Sequence, residues 1–181
     1  MYGTNLRKND IMTIRPAADS DLQTISAIYS YAREQMRLVG NPTQWGTDKP
    51  SPETIQEDIR KKQSYVMTRK GQICGVFAFI IGIDATYQVI EDGSWLNEAP
   101  YGTIHRIAGN GTAHGIFANA LSFCENSIKM NEIKNIRIDT HEDNKIMQHL
   151  LNKHGFTKCG HIYVEDGTKR IAYQKELEYS F

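Results

Sequence analysis

Four of the 14 glycines in this 181-residue chain, Gly102, Gly109, Gly111 and Gly115, fall within one short stretch. Such density implies backbone that bends tightly or lets another group come close. The stretch runs from an apolar segment, Thr103 to Ala108, to a segment of helical spacing that begins at Ile116. A loop between a strand and a helix exposes free N–H groups at the positive end of the helix dipole, which suits a phosphate or pyrophosphate; the alternative is a connection that is merely flexible. Neither G-x-G-x-x-G nor the Walker spacing is present, which disfavours an ordinary dinucleotide-binding or P-loop fold. His105 and His141 add side chains that titrate near neutral pH. The run Asp139-Thr140-His141-Glu142-Asp143 could suggest a metal centre, but no second ligand group accompanies it and no metal is expected. Cys74, Cys124 and Cys159 are odd in number, far apart and without C-x-x-C spacing. They read as small buried apolar side chains, and neither a disulfide scaffold nor a zinc site is indicated.

The elements around these residues follow from periodicity. Met12 to Arg15 reads as a short strand that stops at Pro16. Ser20 with Gln23 forms a capping-box pattern, and Leu22, Ile25, Ile28, Tyr29, Ala32 and Met36 recur at helical spacing. Ser51 before Pro52 marks the start of a second helix, in which Glu53, Glu57 and Asp58 precede Lys61 and Lys62 in the order the helix dipole favours. Ser64 to Arg69, a turn at Lys70-Gly71, and Ile73 to Ile83 make a hairpin whose second strand is apolar enough to be central. Asp84 to Gly102 is long for a connection, and long loops are usually functional or mobile. Phe117, Ala120, Leu121, Cys124 and Ile128 share one face of a third helix. Ile136 to Thr140 is a strand; Ile146, Met147, Leu150 and Leu151 mark a fourth helix ended by Gly155. Gly160 to Glu165 and Arg170 to Leu177 close the chain as a hairpin turning at Asp166-Gly167. The order is βααβββαβαββ. The crossover through helix three makes two strands parallel, so the expectation is an α/β fold with a mixed central sheet and helices on both faces.

Composition fits one globular domain, residues 12–181, behind a mobile leader at 1–11. Hydrophobic residues make up 40% and charged residues 23%. The longest apolar stretch, Ile73 to Ile83, is far shorter than the roughly 18 residues of a membrane helix, and Met1 to Ile11 lacks an apolar signal core. The reading is cytoplasmic, with no membrane partner. Lys and Arg number 21 against 21 Asp and Glu, so the chain lacks the basic field that dominates nucleic-acid binding.

The element order, the opening Ile14-Arg15-Pro16-Ala17 followed by Asp21, and the closing Asn144 to Phe156 segment with its Gly155-Phe156 resemble the GNAT superfamily of acyl-CoA-dependent N-acyltransferases. The likeness spans roughly Met12 to Leu177. It implies acetyl-CoA as co-substrate, no metal, and acyl transfer, most simply of acetyl, to an amine acceptor by direct attack in a ternary complex. In that family the loop after the fourth strand, Q/R-x-x-G-x-G/A, holds the coenzyme A pyrophosphate with main-chain N–H groups. The best placement here is Thr112, Ala113, His114, Gly115, Ile116 and Phe117. Thr112 stands at the Gln/Arg position and Phe117 at the second glycine, so only the first glycine is kept. By resemblance the main chain of Ile107 and Ala108 pairs with the pantetheine arm where strands four and five splay apart. Asn144 matches an asparagine facing that arm, and it reads equally as a helix cap.

The implied reaction needs a base for the amine. His105, on the strand that floors the cleft, is the first candidate and His141 the second, each set against a structural or solvated histidine. Leu151 stands where the family commonly has a tyrosine that protonates the departing thiolate. Tyr163 or Tyr101 would serve instead, or the thiolate leaves unassisted, as a thiol of pKa near 8.5 allows. Acceptor choice falls to helices one and two, the Arg37 to Lys49 connection and the Asp84 to Gly102 loop. Trp45, Tyr87 and Trp95 there either stack on an acceptor or pin their loops. The acceptor itself, a small molecule or a peptide, is not legible, and a homodimer stays open. The rivals are a non-catalytic acyl-CoA-binding or sensing module and a structural domain without a ligand.

Overall fold

The computed structural model describes residues 11–179; all of the expected leader except Ile11 lies outside the described residues. The order is β1 (Thr13–Pro16), α1 (Leu22–Leu38), α2 (Pro52–Arg60), β2 (Ser64–Arg69), β3 (Gln72–Ile81), β4 (Tyr101–Gly109), α3 (Ile116–Met130), β5 (Asn135–Thr140), α4 (Lys145–Lys153), β6 (Thr157–Tyr163) and β7 (Lys169–Glu176). This is the sequence-derived order. The seven strands form one sheet, β1-β2-β3-β4-β5-β7-β6, in which β4–β5 is the parallel pair and the other neighbours are antiparallel.

Strand alternation divides the core between two faces. Met67, Phe77, Phe79, Ile136, Ile138 and Tyr173 pack with Phe117, Ala120, Leu121, Cys124 and Ile128 of α3 and Leu151 of α4. Their neighbours Val66 and Val76, with Ala108, meet Ile25, Ile28 and Tyr29 of α1 and Ile55 and Ile59 of α2. The long connection from Asp84 does on the far half of that second face what α1 and α2 do on the near half. Its Tyr87 and Trp95 pack on Tyr101, Cys159, Ile162 and Ala172 as a small third core. Trp95 donates its indole N–H to the Tyr87 carbonyl at 2.9 Å, so both aromatics pin the loop.

Helix termini follow the expected signals with one correction. Ser51 caps α2 by accepting the Thr54 N–H at 3.2 Å, and Gly155 takes a left-handed φ of +80° just beyond α4. Ser20 does not cap α1: a 3-10 turn spans Asp19–Asp21 and the α-helix begins at Leu22 with no side-chain cap. Asp21 accounts for the difference. Arg15 holds its carboxylate at 2.7 and 2.9 Å, and the same carboxylate accepts the Ala18 N–H, which starts the turn upstream of the Ser20 position. All three cysteines are free and buried.

Candidate functional site

The site begins with a break in pairing. β4 and β5 are bonded in register only at Tyr101 to Thr103, opposite Asn135 to Arg137. From Ile104 onward the β5-facing edge of β4 has no ladder partner. On its other side β4 carries a bulge: Val76 pairs with Ala108 and Ala78 with His105, so two β4 residues oppose one on β3. Within it Arg106 adopts φ of +52°, a left-handed conformation that costs a non-glycine residue on the order of 1 kcal/mol. Two contacts hold it there. The guanidinium grips Asp58 of α2 at 2.8 and 2.8 Å, and the Arg106 carbonyl accepts the Tyr29 hydroxyl at 2.8 Å. Burial raises the Tyr29 phenol well above its ordinary pKa, so it stays a donor. No glycine marks this position, and sequence reading missed it.

Behind the break lies a cavity of about 970 Å³. Its walls are α1, the α1–α2 connection, β4, the ends of β5 and α4, and the β6–β7 turn. Ile107 lines it, whereas the Ala108 side chain is packed in the α1/α2 core. The cavity reaches Gly109 and Gly111, where the glycine-rich loop starts. Among the described residues, the N–H groups of Ala113 to Ala118 meet no acceptor, while the Thr112 N–H is taken by the Asn110 side chain at 3.0 Å. Gly115 sits at φ of +77° as the residue before α3 and supplies no side-chain cap. His114 and Ile116 flank it. The segment Ala113 to Ile116 therefore presents open donors at the dipole's positive end, and Thr112 does not. Gly102 and Gly109 have other duties: a Cβ on Gly102 would strike the Phe79 ring at 2.6 Å, and one on Gly109 would crowd Ile116 at 3.0 Å.

His105 faces the cavity from β4, and its Nε2 lies 2.9 Å from Asp84 Oδ2. Asp84 also accepts from the Thr86 N–H at 2.9 Å and the Thr86 hydroxyl at 2.6 Å. Burial pushes the Asp84 carboxyl up, but the hydrogen bonds from His105 and Thr86 outweigh it and bring the pKa down to about 2. The ionised carboxylate fixes the proton on Nε2 and leaves Nδ1 as the acceptor nitrogen. Asp84 was missed as a partner, although Asp84-Ala85-Thr86 is a legible side-chain turn signal.

His141 is placed differently. Its Nδ1 accepts the Asp143 N–H at 3.1 Å, its Nε2 is 3.4 Å from the Thr43 hydroxyl, and it is absent from the cavity wall. Both ring nitrogens hold loops. Asn144 fulfils its capping reading by accepting the Met147 N–H at 3.0 Å, and it also lines the cavity, donating to Gln44 Oε1 at 2.9 Å. Leu151 is fully buried. Tyr163 donates to Glu91 and Tyr101 accepts the Asp84 N–H, and neither lines the cavity. Trp45 does line it, edge-on to Tyr29 at 5.6 Å. Two buried polar atoms of wall residues, Asn41 Oδ1 and Thr140 Oγ1, have no partner. Open main-chain donors, an unpaired strand edge and polar atoms without partners fit an elongated ligand with a diphosphate at one end and amides along its length.

A family model for the acetyltransferase (GNAT) domain matches residues 12–157. Among solved structures, a GNAT-family acetyltransferase from Streptococcus agalactiae is similar with a TM-score of 0.81 and 32% identity, covering 93% of this chain and 96% of that one. The PaiA N-acetyltransferase of Thermoplasma acidophilum, in complex with coenzyme A, shares the fold at a TM-score of 0.65 and 17% identity, covering 92% and 99%. So does yncA of Salmonella typhimurium with its cofactor acetyl-CoA, at 0.63 and 15%, covering 93% and 95%. No helix among the described residues is long and apolar enough to cross a membrane. No curated protein matches the chain significantly.

Proposed function

The chain belongs to the GNAT acetyltransferase family, and on that premise we propose that it transfers an acetyl group from acetyl-CoA directly to an amine acceptor, with His105 as the base. The observation that carries the reading is the parting of β4 from β5 over a cavity that reaches Gly109 and Gly111, where the loop leading to the open N–H groups before α3 begins. The similar structures that hold acetyl-CoA or coenzyme A support that ligand for this chain.

Ala113, His114, Gly115 and Ile116 would hold the diphosphate through main-chain N–H groups, with Thr112, its own N–H on Asn110, setting the loop beside them, and the free edge at Ile107 and Ala108 would pair with the pantetheine arm, with Asn144 opposite. Bound there, the coenzyme supplies the thioester whose carbonyl carbon the amine attacks. A main-chain N–H of β4 facing that carbonyl oxygen would stabilise the charge it gains, a contact worth about 3 kcal/mol. His105 Nδ1 takes the proton from the attacking nitrogen, directly or through one water, and Asp84 steadies the resulting imidazolium. A C–N bond forms, the C–S bond breaks, and its electrons leave on sulfur, which takes a proton from solvent. Leu151 supplies no proton there, and a thiolate is a fair leaving group without one. None of the three cysteines lines the cavity, which supports direct transfer.

Calorimetry with acetyl-CoA, followed by release of free coenzyme A across a panel of amines, tests this. The expected result is saturable heat and amine-dependent release. No heat with either form of the coenzyme on folded protein would sink the proposal.

A further inference from the structure

Two arginines of the sheet are held by close protein partners. Arg106 grips Asp58 through two short bonds. Arg137 lies 4.1 Å over both Trp95 and Tyr101 and donates to the Asn97 carbonyl at 2.8 Å. Arg170 of β7 is different. Its side chain is 7% exposed, and it lines the cavity. A guanidinium carries five N–H donors. Those of Arg170 meet the Gln44 carbonyl at 3.0 Å, the Lys169 carbonyl at a marginal 3.5 Å and, at 3.8 Å, one oxygen of Asp139, too far for a hydrogen bond. Asp139 forms an ion pair with Arg170 through Oδ1 while its Oδ2 accepts the Tyr87 hydroxyl at 2.7 Å, and Asp166 is paired with Lys49. Burial draws the Arg170 pKa down against the pull of Asp139 and Asp166. The Asp139 pair balances the charge, yet it leaves guanidinium N–H donors without a hydrogen-bond partner on a side chain that lines the cavity.

Its position gives those donors a role. Tyr87, bonded to Asp139, has its ring 6.0 Å from the His105 ring, so Arg170 and His105 belong to one continuous wall. Across that wall the α1–α2 connection reaches the β6–β7 turn, held by the Lys49–Asp166 pair and by Arg170 on the Gln44 carbonyl. This bridge ties the α1–α2 connection to the β6–β7 turn at the Arg170 end of the cavity.

We propose that Arg170 binds the anionic group, a carboxylate or a phosphate, of a small amine acceptor whose amino group is presented to His105. The proposal rests on the acetyl-transfer reading and deepens it by naming the acceptor's class.

The test uses matched pairs under saturating acetyl-CoA: 6-aminohexanoate against hexylamine, phosphoethanolamine against ethanolamine, with a short C-terminally amidated peptide beside them. At least one anionic amine should exceed its neutral partner tenfold or more in kcat/KM, the gain carried by KM, and should exceed the peptide. Which pair responds distinguishes carboxylate from phosphate. Arg170→Gln should shrink the ratio below twofold, and added guanidinium ion should restore part of it in Arg170→Ala, which a merely structural arginine would not do. Equal or better use of the neutral amines or the peptide by the native protein overturns the proposal, as does a preference that survives Arg170→Gln. If no amine in the set is acetylated, titrations of glutarate and of inorganic phosphate, with and without coenzyme A, read the site directly. Heat abolished by Arg170→Gln supports the proposal, and no heat from either anion overturns it. Failure of the acetyl-transfer reading shows separately, as no heat with acetyl-CoA.

Discussion

The two edges of β5 are treated in opposite ways. Toward β7 it pairs along its whole length, Asn135 to Thr140. Toward β4 it pairs over three positions and then parts. The first edge is closed by backbone alone. The second is closed at its base, where Gly102 lets Phe79 and Ile128 pack against the strand, and opened above by the left-handed Arg106. Buried backbone groups must find partners, so an interior strand edge left without a ladder is a place kept for another molecule. On the proposed reading the sheet makes its binding site by withholding pairing, and the side chains there need only hold the gap open and handle one proton.

The largest expected effect breaks the open edge at its chemistry. His105→Ala should lower kcat by a factor of about 100 to 10,000, the range for a positioned base, while coenzyme affinity changes little. Steady-state kinetics across pH with an accepted amine checks this. An unchanged pH profile would remove His105 from the mechanism.

The closed region gives the contrasting loss. Leu151 has no exposure and packs with Phe117, Ile138 and Phe156. Leu151→Ala should lower unfolding free energy by about 2–5 kcal/mol with turnover per folded molecule retained. Urea unfolding and kinetics together read the two quantities. Selective loss of turnover in a stable protein would give Leu151 a part in the chemistry.

Gly115→Asp returns to the open side. It sets a carboxylate beside the open donors proposed to take the diphosphate, at a φ that side chains rarely adopt. Coenzyme affinity should fall about 100-fold, equivalent to about 2.7 kcal/mol, with a smaller loss of stability. Full affinity in a folded variant would move the diphosphate elsewhere.

The same contrast shows what the sequence could reveal. The paired parts were legible because they rest on local period and punctuation: Phe117 to Ile128 traced α3, Ser51-Pro52 began α2, and Gly155 closed α4. The resemblance resting on that order was sound. The opening was expected only through the resemblance, and what holds it open was not legible. Arg106 is left-handed without being glycine because Asp58 and Tyr29, distant in sequence, hold it. Asp84 and Arg170 likewise gain their meaning only from partners the fold brings near. The glycine cluster was read as one feature, yet Gly102 and Gly109 answer to packing while Gly115 answers to the helix start. Ser20 gave way to Asp21 because the Asp21 carboxylate, held by Arg15, accepts the Ala18 N–H and starts the turn earlier.

The smallest effect separates the proton-handling pair from the rest of the open edge. Asp84 has its carboxyl at about 2, below the ordinary 3.8, so the folded state binds the proton less well than the unfolded chain. A depressed carboxyl contributes stability that is present above the unfolded pKa and lost as pH falls through the folded one. The Asp84 contribution should therefore hold above about pH 4 and vanish toward pH 2, amounting to about 2 kcal/mol. Asp84→Asn removes that contribution and should flatten the acid limb of a stability profile, leaving a nearly constant deficit at neutral pH. The asparagine can keep a hydrogen bond to His105 but cannot stabilise its cation, so turnover should also fall, by less than in His105→Ala. Thermal unfolding from pH 3 to 8 and kcat at pH 7 measure both. An acid limb unchanged from the native protein would mean that Asp84 is not the group His105 relies on, and that the open edge handles its proton by another route.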